Sequence, residues 1–165
     1  MVSNPDFRHI ERYIAPENST PVIVAERVNW ISREQWLAQR QRVMQLLSSW
    51  IFDWESLDHE RYRNHYSRSE LNAFGRDFQA WDGHKRWVNR NKTWVQVEYS
   101  QLNIFNYPGE QGLMLMQFEQ SYRSNTANVE TPKELYWRNN GERWQIVHEG
   151  VHSLPVADRS TPADN

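Results

Sequence analysis

Leu113-Met114-Leu115-Met116-Gln117-Phe118-Glu119-Gln120-Ser121-Tyr122-Arg123 is the stretch on which the fold turns. Met114, Met116, Phe118, Gln120 and Tyr122 recur every second residue, the spacing of a strand with one face turned inward. Upstream, Trp94, Val95, Val97, Tyr99, Leu102, Ile104 and Phe105 describe a partner strand with an irregularity near Ser100-Gln101. Tyr107-Pro108-Gly109-Glu110 supplies the turn chemistry between the two. Downstream, Glu134–Arg138 and Trp144–His148 flank Asn139-Asn140-Gly141-Glu142, whose Asn-Gly is a strong hairpin signal. The second half of the chain therefore reads as a hairpin-connected antiparallel meander. Its long strands suit a strongly curved sheet.

Before residue 92 the apolar period is 3.6. Ser32 with Gln35 has the form of a capping box, and Ile31 with Trp36 that of a hydrophobic staple. Trp36, Val43, Leu47, Trp50, Trp54 and Leu57 then hold one helical stripe, which predicts a long amphipathic helix over about 33–56. Asp58 suits the N-cap of a short second helix carrying Tyr62 and Tyr66. Residues 69–74 suggest a short strand, and Phe78, Trp81, Lys85 and Val88 a third helix over about 76–91. Three helices followed by a meander make an α+β domain. It is expected over 32–152, after an extended segment 1–31 that includes an edge strand at Thr20–Ala25, and before a loose tail 153–165.

The 165 residues are enough for one core, and nine Trp, seven Tyr and six Phe supply its bulk. A mean hydropathy of -0.91 is then the mark of a polar exterior around aromatic rings. A net charge of -2, with cations interleaved among acids, gives no nucleic-acid footprint. No apolar run approaches a membrane span, and Met1–Asp6 lacks the basic and apolar regions of a signal peptide. The absence of cysteine removes disulfides, thiolate zinc sites and thiol nucleophiles.

Several motifs carry a resemblance. Trp50-Ile51-Phe52-Asp53-Trp54-Glu55-Ser56-Leu57-Asp58, followed by Tyr62 and His65-Tyr66-Ser67, resembles the opening of NTF2-like (SnoaL-like) proteins. Phe118–Ser124, Lys133–Trp137, Trp144-Gln145-Ile146 and Glu149 resemble the non-catalytic C-terminal domain of bacterial L,D-transpeptidase and L,D-carboxypeptidase proteins. The resemblance implies an NTF2-like cone, with helices packed against a curved antiparallel sheet. It also implies an accessory module of peptidoglycan metabolism located in the periplasm. The family's catalytic cysteine has no counterpart here, so its acyl transfer is not expected of this chain.

The aromatic set Trp50, Trp54, Tyr62, Tyr66, Phe118, Tyr122, Trp137 and Trp144 has two readings, a filled core or a wall lining the cone's mouth. Gln120, Arg123, Lys133 and Glu149 are the polar groups expected at that mouth, with Arg123 suited to hold a carboxylate. The competing reading makes them a solvated strand edge where Lys133 and Glu149 pair weakly. A muropeptide or other small ligand, and a homodimer through the sheet face, are the expected partners; no cofactor is expected.

An enzyme of the SnoaL or ketosteroid-isomerase type is the alternative, with Asp53, Asp58, His65 and His84 as candidate bases. Of these, Asp58 is better explained as a cap and His65 as a surface or interface residue with an ordinary pKa. His148-Glu149-Gly150-Val151-His152 matches the zincin pattern, which requires both histidines on one helical face. Here it ends a strand, where the rings would stand roughly 13 Å apart at ~3.3 Å per residue, so no metal site is expected.

Overall fold

The computed structural model describes residues 30–107 and 109–152, together with Pro5, Arg8 and His9. The chain divides into two units. Of one, Met1–Val24 with Ser153–Asn165, the described residues Pro5, Arg8 and His9 are helical; the other, Ala25–His152, contains every element named below. The expected edge strand at 20–25 and the tail at 153–165 lie outside the described residues.

Helix α1 spans Arg33–Glu55. Its capping box forms as the sequence requires: Gln35 N–H donates to Ser32 Oγ at 3.2 Å, and Ser32 N–H donates to Gln35 Oε1 at 2.9 Å. The apolar stripe is buried only from Leu47 onward, through Trp50 and Trp54. Its first members lie open, with Trp36 51 % and Leu37 44 % exposed.

After Glu55 the chain turns through Leu57, which adopts a positive φ of 59°. Asp58 accepts Arg61 N–H and caps helix α2, His59–Arg63. Strand β1 is the two-residue Asn72–Ala73. Helix α3, Phe78–Asn89, starts on the Asp77 cap and buries Phe78 and Trp81.

Four longer strands follow: β2 Val95–Asn106, β3 Leu113–Ser124, β4 Asn128–Asn139 and β5 Trp144–Gly150. The five strands form one sheet in the order β1-β5-β4-β3-β2. The meander is antiparallel as expected, but β1 runs parallel to β5, so the whole sheet is mixed. The irregularity expected at Ser100-Gln101 is a register shift between Ser100 and Asn103, with Gln101 at φ 53°. The Asn-Gly hairpin forms, with Gly141 at φ 95°.

Strand β4 begins six residues earlier than the sequence suggests, at Asn128 where Glu134 was expected, because Pro132 is harmless there. Asn139 N–H donates to Gly112 O, which makes every second pair along β3 and β4 a hydrogen-bonded one. Pro132, opposite Glu119, falls between those pairs. Its missing N–H points away from β3, beyond the last β5 pairing at Glu134, and no ladder bond is lost.

The inner face of the sheet and the three helices enclose an aromatic core. Trp50, Tyr66, Met116, Leu135, Trp137 and Ile146 are fully buried in it. Trp50 stands 5.1 Å from Trp54 and 6.4 Å from Phe118, ring centroid to ring centroid, which joins helix to sheet. Leu47 is fully buried in this core, whereas Leu37 is not. Leu47→Ala should therefore cost about 2–5 kcal/mol in urea unfolding, and Leu37→Ala no more than about 0.5 kcal/mol.

Candidate functional site

Strand pleating decides which polar side chains enter the core. Glu149, opposite Leu135, and Lys133 both face the helices, from β5 and β4. Lys85 reaches the same point from α3, and Tyr66 from the segment after α2. Lys133 Nζ lies 2.8 Å and Lys85 Nζ 3.8 Å from Glu149 Oε1. Tyr66 donates to Glu149 Oε2 at 3.0 Å. Because the Tyr66 hydroxyl has one proton, it must accept from its other two neighbours. Trp50 Nε1–H donates to it at 3.0 Å, and the Tyr62 hydroxyl donates at 2.8 Å. The result is a directed hydrogen-bond network that ends on a buried anion.

Burial opposes ionisation of Glu149, yet the two lysines and the hydrogen bonds outweigh it and hold its pKa down to about 2. Burial, joined by the Glu149 charge, raises the pKa of Tyr62 and Tyr66 well above the ordinary tyrosine value, so both remain donors. Burial lowers the pKa of Lys85, with Glu149 opposing and Lys133, Lys92 and Arg76 assisting. Its ammonium sits 5.1 Å from the Trp54 ring centre and 6.0 Å from that of Trp81. Lys92 donates to the Tyr122 hydroxyl. Gln120 is buried on the same inner face, and its Oε1 has no partner among the described residues.

The structure thus gathers Trp50, Trp54, Tyr62, Tyr66, Gln120, Tyr122, Lys133 and Glu149 on the inner side of the sheet. Trp137 is also interior, but it packs edge-on against His65 with ring centres 6.3 Å apart. Arg123 is not part of the group. It is exposed, because its place between Tyr122 and Ser124 turns it to the other face. The reading of Lys133 and Glu149 as a weak pair at a solvated edge is also overturned, since both are buried. The sequence did not single out Lys85 and Lys92 as site residues. Lys85 held one signal, its helical spacing from Trp81.

The candidate bases fall out differently. Asp58 is a cap and His84 is exposed beside Trp87. His65 is largely buried, not at the surface. Its Nε2 meets Asp53 Oδ2 at 2.8 Å, and burial lowers its pKa against the pull of that carboxylate. Asp53 also meets Arg61 at 2.8 Å. A second pair, His59 with Asp82 at 2.7 Å, ties α2 to α3. In the zincin-like stretch, Glu149 points inward, whereas His148 approaches Glu134 at 3.3 Å and His152 approaches Glu119 at 3.9 Å. Among the described residues no cluster suited to a metal ion occurs. No described helix is long and apolar enough to cross a membrane.

Three helices laid into the hollow of a bent sheet define an NTF2-like domain. More narrowly, residues 42–150 match the Cds6 C-terminal NTF2-like domain, and the chain belongs to that family.

Solved structures agree on the fold. Bd1075 of Bdellovibrio bacteriovorus is similar over 93 % of this chain, with a TM-score of 0.80 at 24 % identity. A mutant of Pgp2, the helical cell shape determining protein of Campylobacter jejuni, is similar over 76 %, with a TM-score of 0.63 at 18 % identity. An NTF2-like protein of unknown function from Pseudomonas putida KT2440 is similar over 68 % of this chain and 84 % of its own, with a TM-score of 0.59 at 18 % identity. The chain spans 54 % of the length of Bd1075 and 44 % of Pgp2. No curated protein matches it.

Glu149→Gln leaves the two lysines buried without their counter-ion, and should cost about 3–5 kcal/mol at neutral pH in urea unfolding. The folded-state pKa of Glu149 lies below its ordinary 4.5, so its contribution is complete above that pH and is lost as pH falls toward about 2. The wild-type chain should lose stability across that window, and the Glu149→Gln variant should lack this component.

Proposed function

We propose that this domain is a non-catalytic accessory module of a peptidoglycan-modifying system, which binds an anionic cell-wall fragment at the lysine-rich end of its cone. The observation that carries the proposal is a charge imbalance. Lys85 and Lys133 share one carboxylate, and Lys92 stands at Tyr122. A second carboxylate, such as the terminus of a stem peptide, would balance the cations. The family description and the fold likeness to a cell shape determining protein support the same reading. A cell-wall ligand implies a periplasmic location, and the sheet face remains the proposed surface for a homodimer.

The second reading is a small-molecule enzyme of the SnoaL type, favoured by the Asp53–His65 pair and the lowered pKa of His65. It requires a substrate path to His65, whose free ring nitrogen would act as the base. The accessory reading is preferred because Glu149, the most deeply buried carboxylate described, is committed to two cations and is no base.

Titration with a muropeptide bearing a free stem carboxylate, followed by Trp fluorescence, tests the binding reading. A saturable change is expected, because an anion drawn to Lys85 alters the field at Trp54. Lys92→Ala should weaken the affinity by about tenfold, the scale of one charge-assisted hydrogen bond. A flat response from folded protein, or equal binding of the amidated stem, would remove the proposal.

A further inference from the structure

Strand β2 is the outer edge of the sheet, and its two halves are treated differently. In the first half the edge-facing Val97 N–H donates to Glu55 Oε1 of α1 at 2.7 Å. An acidic side chain thus occupies that part of the edge. The second half follows the register shift between Ser100 and Asn103. Tyr107 N–H donates to Leu113 O, so the pairs at Phe105 and Asn103 are the hydrogen-bonded ones. The N–H and C=O groups of Ile104 and Asn106 therefore point away from β3, and no described residue bonds them. Between Val95 and Asn106 there is neither proline nor lysine, the residues that usually blunt an exposed edge.

This open half-edge borders a cleft of about 520 Å³ between α1 and the sheet. Trp36, Arg40, Arg42, Ile104, Asn106 and Met114 are among its walls, and among the described residues no acidic side chain lines it. Arg40 lies over the Trp36 ring at 5.8 Å, and neither arginine has an acidic partner among the described residues. Trp36 and Arg40 precede the family match at 42–150, so this cleft is partly built by residues outside it.

We infer that the distal half of β2 and the adjoining cleft form a docking site for an extended acidic peptide of a partner protein, which adds a strand to the sheet. The peptide backbone bonds Ile104 and Asn106. Alternate side chains enter the cleft beside Met114, and its acidic residues reach Arg40 and Arg42. A second copy of this chain is the poorer occupant, since it would bring its own arginines against these. The inference is independent of the anion site, which lies among α3, β4, β5 and the Gln120–Tyr122 end of β3.

The test uses the isotope-labelled chain and a short blocked peptide of alternating Val and Glu. Saturable amide shifts at Ile104 and Asn106 are expected. They should vanish when alternate peptide amides are N-methylated, and when Glu is replaced by Lys. The Arg40→Glu, Arg42→Glu double variant, altered only at exposed positions, should lose the acidic peptide by about tenfold or more and gain the Lys peptide. Equal binding of both peptides, binding of the N-methylated peptide, or no shift at millimolar peptide would overturn the proposal. So would concentration-dependent protection of Ile104 and Asn106 in the free chain, which would indicate a second copy.

Discussion

A carboxylate with no contact with water sits at the centre of this fold, and its counter-charges fix how the layers meet. Glu149 comes from β5, and it is neutralised by Lys133 of β4 and Lys85 of α3. Through Tyr66 it also reaches Trp50 of α1 and Tyr62 of α2. Helices α1 and α2 are thereby tied to the sheet by hydrogen bonds, and α3 by the Lys85 ion pair. Ring packing alone would allow the helices to slide by small amounts, since apolar contacts have no direction. A buried charge does have one, because any arrangement that separates Glu149 from its lysines strands a desolvated ion. Pairing of this kind adds little net stability over an apolar core of equal volume; what it contributes here is a single helix-to-sheet register.

The same network shapes the functional reading. One lysine would suffice to neutralise Glu149, yet Lys85 and Lys133 both converge on it and Lys92 lies near Lys85. Burial already depresses the pKa of Lys85, so the extra cation carries a cost that an arriving anion would relieve. The enzyme reading needs the reverse, a basic group left without a strong partner. Glu149 does not meet that need. His65 comes closer, but Asp53, which orients it, is itself shared with Arg61.

Most of the architecture was legible because its signals are local. The capping box at Ser32, the Asp58 cap, the bulge near Gln101 and the Asn-Gly hairpin each depend on a few adjacent residues, and each forms as read. What was not legible depends on register between distant strands. Strand β4 can run back through Pro132 only because its pairing leaves the missing N–H facing no neighbour. Arg123 and Lys133 look equivalent as basic residues in polar-rich strands, but pleating turns one outward and the other inward. In the sequence Lys85 marks only a helical period, because nothing in its own neighbourhood announces that β5 will place a carboxylate beside it. The same holds for His65, since its partner Asp53 lies on α1.

Filling the cone with rings leaves recognition to its borders, and the two borders differ in chemistry. At the end near α3, the available groups are side-chain ammoniums over aromatic faces, which select by charge and are weakened by salt. At the β2 edge, main-chain amides select an extended backbone, and Arg40 and Arg42 beside them favour an acidic one. The shift between Ser100 and Asn103 separates the half of the edge met by Glu55 from the half beside Arg40 and Arg42. Beyond the one extra residue there, Ile104 and Asn106 border the cleft that α1 walls on its other side. The bulge is thus the boundary between a half-edge occupied by an acidic side chain and a half-edge whose amides have no partner among the described residues.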